Sequence, residues 1–335
     1  MDVDVFVAVH RDEWARLDQL ARRRGRLSGA EVDELVTLYR RTATHLSLVR
    51  SAAPDPVLVG HLSSLVARGR SAVTAPRNTG WRDAVLFLTA RFPAAVYRSR
   101  RWWVPTALVC VLVSAMIGAW VATDESVRAS IAAPHEIREL TEPGGEFESY
   151  YSSAPASSFA AQVTTNNAWV AAGSLALGVL FGLPVLFILF TNVANVGASA
   201  GLMADAGRLD VFFGLIMPHG LLELTAVFVA AGTGLRLGWT LIDPGPRTRG
   251  RALAEEGRIA LGMAVGLALV LVVSGVIEAF VTPSGLPTWA RISIGVAAEA
   301  AFLAYVFVLG KRATAAGVTG DMASSDVADE LPAVG

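Results

Sequence analysis

The sequence predicts an all-α fold: a polytopic transmembrane helix bundle with an N-terminal cytoplasmic helical domain and one broken or re-entrant membrane segment. Three observations predict it. Hydrophobic residues make up 53% of the 335 positions and charged residues only 17%, against about 25% charged in a soluble domain. The charge is unevenly placed: residues 1–101 hold 17 Arg against 10 Asp or Glu, whereas several later stretches of about 20 residues are apolar enough to cross a ~30 Å hydrocarbon core. Apolar residues in the N-terminal quarter recur at helical rather than strand spacing.

Residues 1–101 read as a cytoplasmic bundle ending in an interfacial helix. Phe6, Val9, Trp14, Leu17 and Leu20 mark the first helix, over Asp4 to Arg24. Ser28 with Glu31 three residues on is a capping-box signature. It opens a second helix, to about Arg50, whose face is Val32, Leu35, Leu38, Tyr39, Leu46 and Val49. The turn "SAAPDP" precedes a third helix over Val57 to Ala72, and a fourth follows over Trp81 to Val96. Short loops between them predict antiparallel neighbours. Arg22, Arg23, Arg24 and Arg26 form a basic cluster that reads as solvated surface, with contact to anionic lipid headgroups as the rival reading. No nucleic-acid motif is present, so nucleic acid is not an expected partner. The acidic start lacks the basic and apolar regions of a cleavable signal peptide. His45 and His61 fall on soluble helices and His10 and His135 read as isolated, all four as surface or packing.

Residues 102–312 read as the membrane domain, with about six embedded segments. Arg91, Arg98, Arg100 and Arg101 precede the apolar run Trp102 to Val121, which places the N-terminal domain inside by the positive-inside rule. Residues 122–168 carry seven carboxylates against Arg128 and Arg138, a net charge of −5, and read as an extracytoplasmic loop long enough to hold short helices. Trp169 to Phe190 is the second span, kinked at Pro184. Gly257 to Val281 and Arg291 to Gly310 are two more, with Arg247, Arg249, Arg251, Arg258, Lys311 and Arg312 marking the inner side. The stretch between must then enter and return. Leu221 to Ile242 is one arm. Asn192 to Met217 is the other, expected to be discontinuous or re-entrant, with the two joined at Pro218-His219-Gly220. Residues 313–335 read as a disordered cytoplasmic tail.

The joint carries the ionisable residues. At 100° per residue His219, Glu223, Ala226, Ala230, Thr233 and Gly234 share one face, and Leu221, Leu224, Phe228 and Leu235 the other. The small face should pack inward, with His219 and Glu223 paired four apart, and the large face should meet lipid. Arg236 should snorkel to the inner headgroups. "GVLFG" (178–182), "GASAG" (197–201), "GLRLG" (234–238) and "GMAVG" (262–266) are small-xxx-small pairs that favour close helix packing. Glu278 and Glu299 sit in the last two spans, and Asn166, Asn167, Asn192 and Asn195 lie at or near the ends of the second. Intramembrane ionisable groups mark candidate sites. The candidate structural or ligand network is therefore Asn166, Asn167, Asn192, Gly197, Pro218, His219, Gly220, Glu223, Gly234, Glu278 and Glu299. Motifs for two-histidine zinc hydrolysis, for a serine triad and for a phosphate loop are missing. Cys110 stands alone, so no cysteine-based metal cluster forms. No catalytic residue, metal or cofactor is expected, although an intramembrane hydrolase using His219 and Glu223 is not removed by sequence alone.

The order Asn166-Asn167, a glycine-rich span, Asn192, Gly197, Pro218-His219-Gly220 with Glu223, and Ala231-Gly232-x-Gly234 resembles the stage II sporulation protein M family. "WARLDQL", "LVTLYRR" and "RFP" are similar to that family's N-terminal region. The resemblance implies a membrane scaffold: the family's namesake works with partners that remodel peptidoglycan at the septum during engulfment. Relatives in bacteria that make no spores are often encoded beside MoxR-type ATPases and RDD-type membrane proteins, and the long N-terminal bundle suits that branch. The expected function is a scaffold or assembly component of a bacterial envelope complex in the cytoplasmic membrane. It would have both termini inside, other membrane or envelope proteins and the lipid bilayer as partners, and a homo-oligomeric state. The alternative is a transporter or channel with a site near His219 and Glu223.

Overall fold

The computed structural model describes residues 3–23, 27–52, 55–74, 81–150 and 156–321, with no strand among them. Two compact units divide the chain, Met1–Ala84 and Val85–Gly335.

In the first unit, helices α1 (Val3–Arg22), α2 (Gly29–Ala52) and α3 (Pro56–Thr74) surround one apolar core. Trp14, Leu17, Leu20, Leu35, Leu38, Leu46, Val49, Leu62 and Leu65 are buried there, as the helical periodicity requires. Val9 is the exception: it is exposed, one position off the buried stripe. The capping box forms reciprocally, with the Ser28 amide donating to Glu31 Oε2 at 2.8 Å and the Glu31 amide to Ser28 Oγ at 3.3 Å. Arg16 grips Glu34 with two parallel bonds of 2.9 and 2.7 Å, and that grip holds the Glu34 carboxyl below its ordinary range. Arg22 pairs with Asp18 and Arg23 with Glu31, while Arg24 and Arg26 lie outside the described residues.

The expected fourth bundle helix belongs largely to the second unit. It runs as α4 (Trp81–Leu86), a π-helical turn over Phe87–Arg91, and α5 (Phe92–Arg98). Phe92, Ala95 and Val96 join a core with Ile259, Met263, Leu267 and Val306, so packing places this segment with the long helices. The division between the two compact units falls at Ala84–Val85.

The long helices of the second unit are α6 (Arg100–Thr123), α10 (Ala156–Leu177), α11 (Leu183–Asp205), α12 (Leu209–Ile242), α13 (Arg249–Phe280) and α14 (Thr288–Ala304). A π-helical turn over Tyr305–Gly310 and α15 (Lys311–Ala315) extend the last. Five of these are long and apolar enough to cross a membrane: α6, α11, α12, α13 and α14 with its extension. Three short helices, α7 (Glu125–Ile131), α8 (Pro134–Thr141) and α9 (Glu146–Tyr150), lie between α6 and α10.

Two turns fall where the sequence does not announce them. The expected second span, 169–190, is broken: α10 ends at Leu177, Phe181 and Gly182 take left-handed backbone (φ 57° and 74°), and α11 begins at Leu183. The return turn is Ala206 to Arg208, with Gly207 at φ 71°, and not Pro218-His219-Gly220. Gly197 and Gly201 do not thin a broken arm. They lie inside continuous α11, and a Cβ on either would stand 2.6 Å from a carbonyl of α6. α12 is one 34-residue helix that runs straight through Pro218. Proline inside a helix removes one backbone bond but is tolerated where neighbouring protein surrounds the backbone. Here α14 approaches so closely that a Cβ on Gly295 would lie 2.6 Å from the Pro218 carbonyl oxygen.

α12 is the hub, touched by α6, α10, α11, α13 and α14. Its second half is buried nearly all round, and Phe228, expected to face lipid, packs with Cys110, Val185, Leu189 and Val193. A helix apolar on every side belongs in the interior. Arg236 does not snorkel. It donates to Glu256 Oε1 at 2.8 Å and to Ser99 Oγ at 3.3 Å, because α13 and the start of α6 bring acceptors to it. The C-terminal stretch is packed up to Asp321, which pairs with Arg258 at 2.7 Å, while Arg98 donates to the Thr319 carbonyl at 2.8 Å. The rest of the expected tail, 322–335, lies outside the described residues.

Candidate functional site

Three of the long helices place polar groups at one level, at the end of the bundle where α7 to α9 sit. α12 supplies His219 and Glu223, which are 4% and 3% exposed. α13 supplies Glu278, 1% exposed, and α10 supplies Asn167. The structure gives the two α12 groups different partners. His219 Nε2 stands 3.6 Å from Glu278 Oε1, and Nδ1 lies 3.2 Å from Thr282 Oγ1. Glu223 Oε2 accepts from Asn167 Nδ2 at 2.5 Å. Its other oxygen, Oε1, is buried and accepts no hydrogen bond. Ser274 Oγ donates to the His219 carbonyl at 2.9 Å and ties α13 to the same turn of α12.

Glu223 and His219 open onto a cavity of ≈ 520 Å³. Asn166 and Asn167 of α10 and Asn192, Asn195 and Ser199 of α11 form polar parts of its wall. The three α11 residues recur at i, i+3 and i+7, so one helix face carries them all. Phe147 and Tyr150 of α9 contribute the roof, and Phe212 of α12 stacks on Phe147 with ring centroids 5.7 Å apart. The roof is tied down at both sides. Arg128 pairs with Asp205 at 3.2 Å and donates to the Val121 carbonyl at 2.9 Å. Arg208 donates to the Thr141 carbonyl at 2.6 Å and pairs with Glu148.

Of the predicted network, Asn166, Asn167, Asn192, His219, Gly220 and Glu223 meet around the cavity, and Glu278 joins through His219. Gly197 and Gly234 serve helix crossings. Gly197 meets Ser114 and Ile117 of α6, and a Cβ on Gly178 would sit 2.6 Å from Gly234 Cα. Pro218 marks the α14 contact, and Glu299 accepts from Thr225 at 2.9 Å. Sequence reasoning missed Ser199, Thr282, Ser274 and the roof residues Glu146, Phe147 and Tyr150. Ser199 was signalled by its spacing from Asn192. The roof residues depend on the fold-back of α9 and carry no local signal.

A second polar group lies in the first unit. His10 and His45, read above as separate, stack with ring centroids 4.1 Å apart beside Glu13. Trp14 Nε1–H donates to His45 Nδ1 at 3.2 Å, which leaves the proton of the neutral ring on Nε2. Glu13 accepts from Arg41. Burial and then the neighbouring His10 push the His45 imidazole below its usual value. Trp14 and Arg41 thus engage one atom each of His45 and Glu13, while Glu13 Oε2 is buried without a hydrogen bond and lies 3.7 Å from His10 Nδ1.

A family model described as stage II sporulation protein M matches residues 107–283, which span α6 to α13 and hold most of the cavity wall. A second, described as a domain of unknown function (DUF8413), matches residues 4–75. An uncharacterized protein of Methanocaldococcus jannaschii is 28% identical over 123 residues, which cover 36% of this chain and 69% of that protein. No solved structure matches. The first model runs over more than half of the chain and contains the PHG-x-x-E stretch of α12 and both Asn clusters, and the chain is a membrane protein of the stage II sporulation protein M family.

Proposed function

We propose that the chain is a bacterial cytoplasmic-membrane protein that takes a polar small molecule into its cavity from the extracytoplasmic side, as a carrier does. The observation that carries this reading is Glu223: its side chain lines a ≈ 520 Å³ cavity together with four asparagines, and its buried Oε1 accepts no hydrogen bond. A volume of about 300–1,000 Å³ suits a small-molecule ligand. Leaving a charged acceptor unsatisfied in hydrocarbon is costly, and sites of that kind are kept for function.

Arg-rich segments at residues 91–101 and 247–258 support an inner location for the opposite end of the bundle, with both termini inside. That end is closed by backbone contacts. A Cβ on Gly238 would meet the Phe181 carbonyl carbon at 2.6 Å, and one on Gly232 would meet Trp103 Cα at 2.5 Å. Closure at one end with a cavity at the other is the arrangement of an alternating-access carrier held in one state.

Cysteine labelling tests this. Cys110 is the chain's one cysteine, so a Cys110→Ala background is silent. In that background Asn195→Cys should react quickly with a membrane-impermeant maleimide applied from outside, and Ala231→Cys, fully buried, should not. A folded Asn195→Cys protein that stays unlabelled from outside refutes the carrier reading.

The scaffold reading has its own support in the separate N-terminal unit with its own family model, and in the −5 loop. On that reading the two carry contacts to other envelope proteins, a MoxR-type ATPase or an RDD-type membrane protein among them, or to further copies of the chain. Purification from detergent with intact and loop-deleted forms tests it, since a specific partner should be retained by the first and lost by the second.

A further inference from the structure

We infer that the cavity is an organic-cation site that takes a small molecule bearing a primary ammonium group; this rests on the cavity reading above and names its ligand class. The first argument is the unsatisfied acceptor. Glu223 Oε2 is bound by Asn167, the Ser274 hydroxyl lies against the same carboxyl, and Oε1 makes no hydrogen bond of its own. A carboxylate can only accept, so the missing partner is a donor, and a charged one forms the stronger bond.

The lining supplies the second argument. Carboxamides of Asn166, Asn167, Asn192 and Asn195 offer further acceptor oxygens, and no Lys or Arg is among the described lining residues. Of the arginines on or beside the roof helices, Arg128 pairs with Asp205 and Arg208 with Glu148, and Arg138 of α8 is exposed and not part of the lining. An anion would therefore meet a buried carboxylate with no compensating cation.

Size and shape give the third. A metal ion needs oxygen ligands converging at about 2.0–2.6 Å, whereas this space of ≈ 520 Å³ has apolar walls from Leu140, Ile216 and Leu224 beside the aromatic residues. Phe147, Tyr150 and Phe212 line the same space, and an alkylammonium ion is stabilised by aromatic and apolar walls. Approach is favoured as well. Glu146 is part of the lining and the surrounding loop carries −5, a field that concentrates cations and repels anions.

The test uses the full chain in lipid nanodiscs and calorimetric titration with three probes of one length: n-butylammonium, 1-butanol and n-butyrate. n-Butylammonium should bind about tenfold or more tightly than 1-butanol, and n-butyrate should give no binding. Glu223→Gln, with its melting curve checked against wild type, should erase the preference for the ammonium probe. Equal binding of n-butylammonium and 1-butanol, preference for n-butyrate, or silence with all three overturns the assignment, and the wild-type comparison decides this even if the variant fails to fold. Labelling of Asn195→Cys separates the two levels. A labelled cavity that ignores ammonium removes the ligand class and leaves the carrier reading, whereas an unlabelled cavity removes both.

Discussion

Arg236 and Glu256 show how this membrane protein hosts charge. The guanidinium lies 2.8 Å from the carboxylate, with Ser99 as a further acceptor, and the two side chains are 17% and 9% exposed. At such burial, desolvation cancels much of the attraction, so the intact pair adds little net stability. Loss of Glu256 is far worse, since it leaves Arg236 uncompensated, whereas loss of Arg236 leaves Glu256 with Arg247 at 3.8 Å. Glu256→Leu should cost about 3–5 kcal/mol and Arg236→Met less. The double substitution should cost clearly less than the sum of the two, with a coupling of about 1–3 kcal/mol. Chemical unfolding of the four proteins in one detergent measures the cycle, and additive losses refute the pairing. The same reasoning distinguishes Glu223 from Glu256: one carboxylate is matched by a cation in the fold, the other lines a cavity and has one oxygen that accepts no hydrogen bond.

Among elements, glycine positions separate packing from mere composition. Gly201 of α11 lies against α6, where a Cβ would stand 2.6 Å from both the Gly118 carbonyl oxygen and Val121 Cβ, whereas Gly257 of α13 has nothing within 4 Å. Gly201→Ala should lose about 1–3 kcal/mol through forced separation of the helices. Gly257→Ala should gain about 0.5–1 kcal/mol, because alanine suits a helix interior better. Melting of the two variants checks the opposite signs, and a neutral Gly201→Ala refutes close α6–α11 packing. Such contacts explain what was legible in the sequence. "GASAG" and "GLRLG" mark helix crossings as their spacing suggested, and "GVLFG" also packs closely on α12 through Gly178 and Gly182, but as a turn. That turn is invisible locally because it is apolar throughout and followed by Leu183-Pro184, and turns at a protein-covered site need no polar residue to announce them. Conversely, Pro218-Gly220 looks like a break and is not one, because α13 and α14 support the backbone there. The polar positions of α10, α11 and α12 were legible singly. Their convergence was not, since it depends on where the turns fall.

Across the whole membrane unit the two ends are built differently, and this sets where motion is cheapest. One end is closed by backbone-to-backbone glycine contacts, by the buried pair of Arg236 with Glu256 and by the half-exposed pair of Arg258 with Asp321. The other is roofed by three short helices held through Arg128 and Arg208 and one aromatic stack. Short elements with few buried contacts open locally before the core does. Access to the cavity should therefore be gated by the roof. Replacing both tethers, Arg128→Ala with Arg208→Ala, should leave the membrane helices folded and free α7 to α9. A glutamate-specific protease outside right-side-out vesicles should then cut between residues 125 and 150 about tenfold faster than in wild type, and external labelling of Asn195→Cys should rise with it. Unchanged cleavage would show that the roof is held by other contacts. Cleavage only with the protease sealed inside would invert the topology and move the cavity to the cytoplasmic side. Faster cleavage with slower labelling would mean that the freed helices collapse into the cavity, which makes the tethers props for an open site, not latches on a closed one.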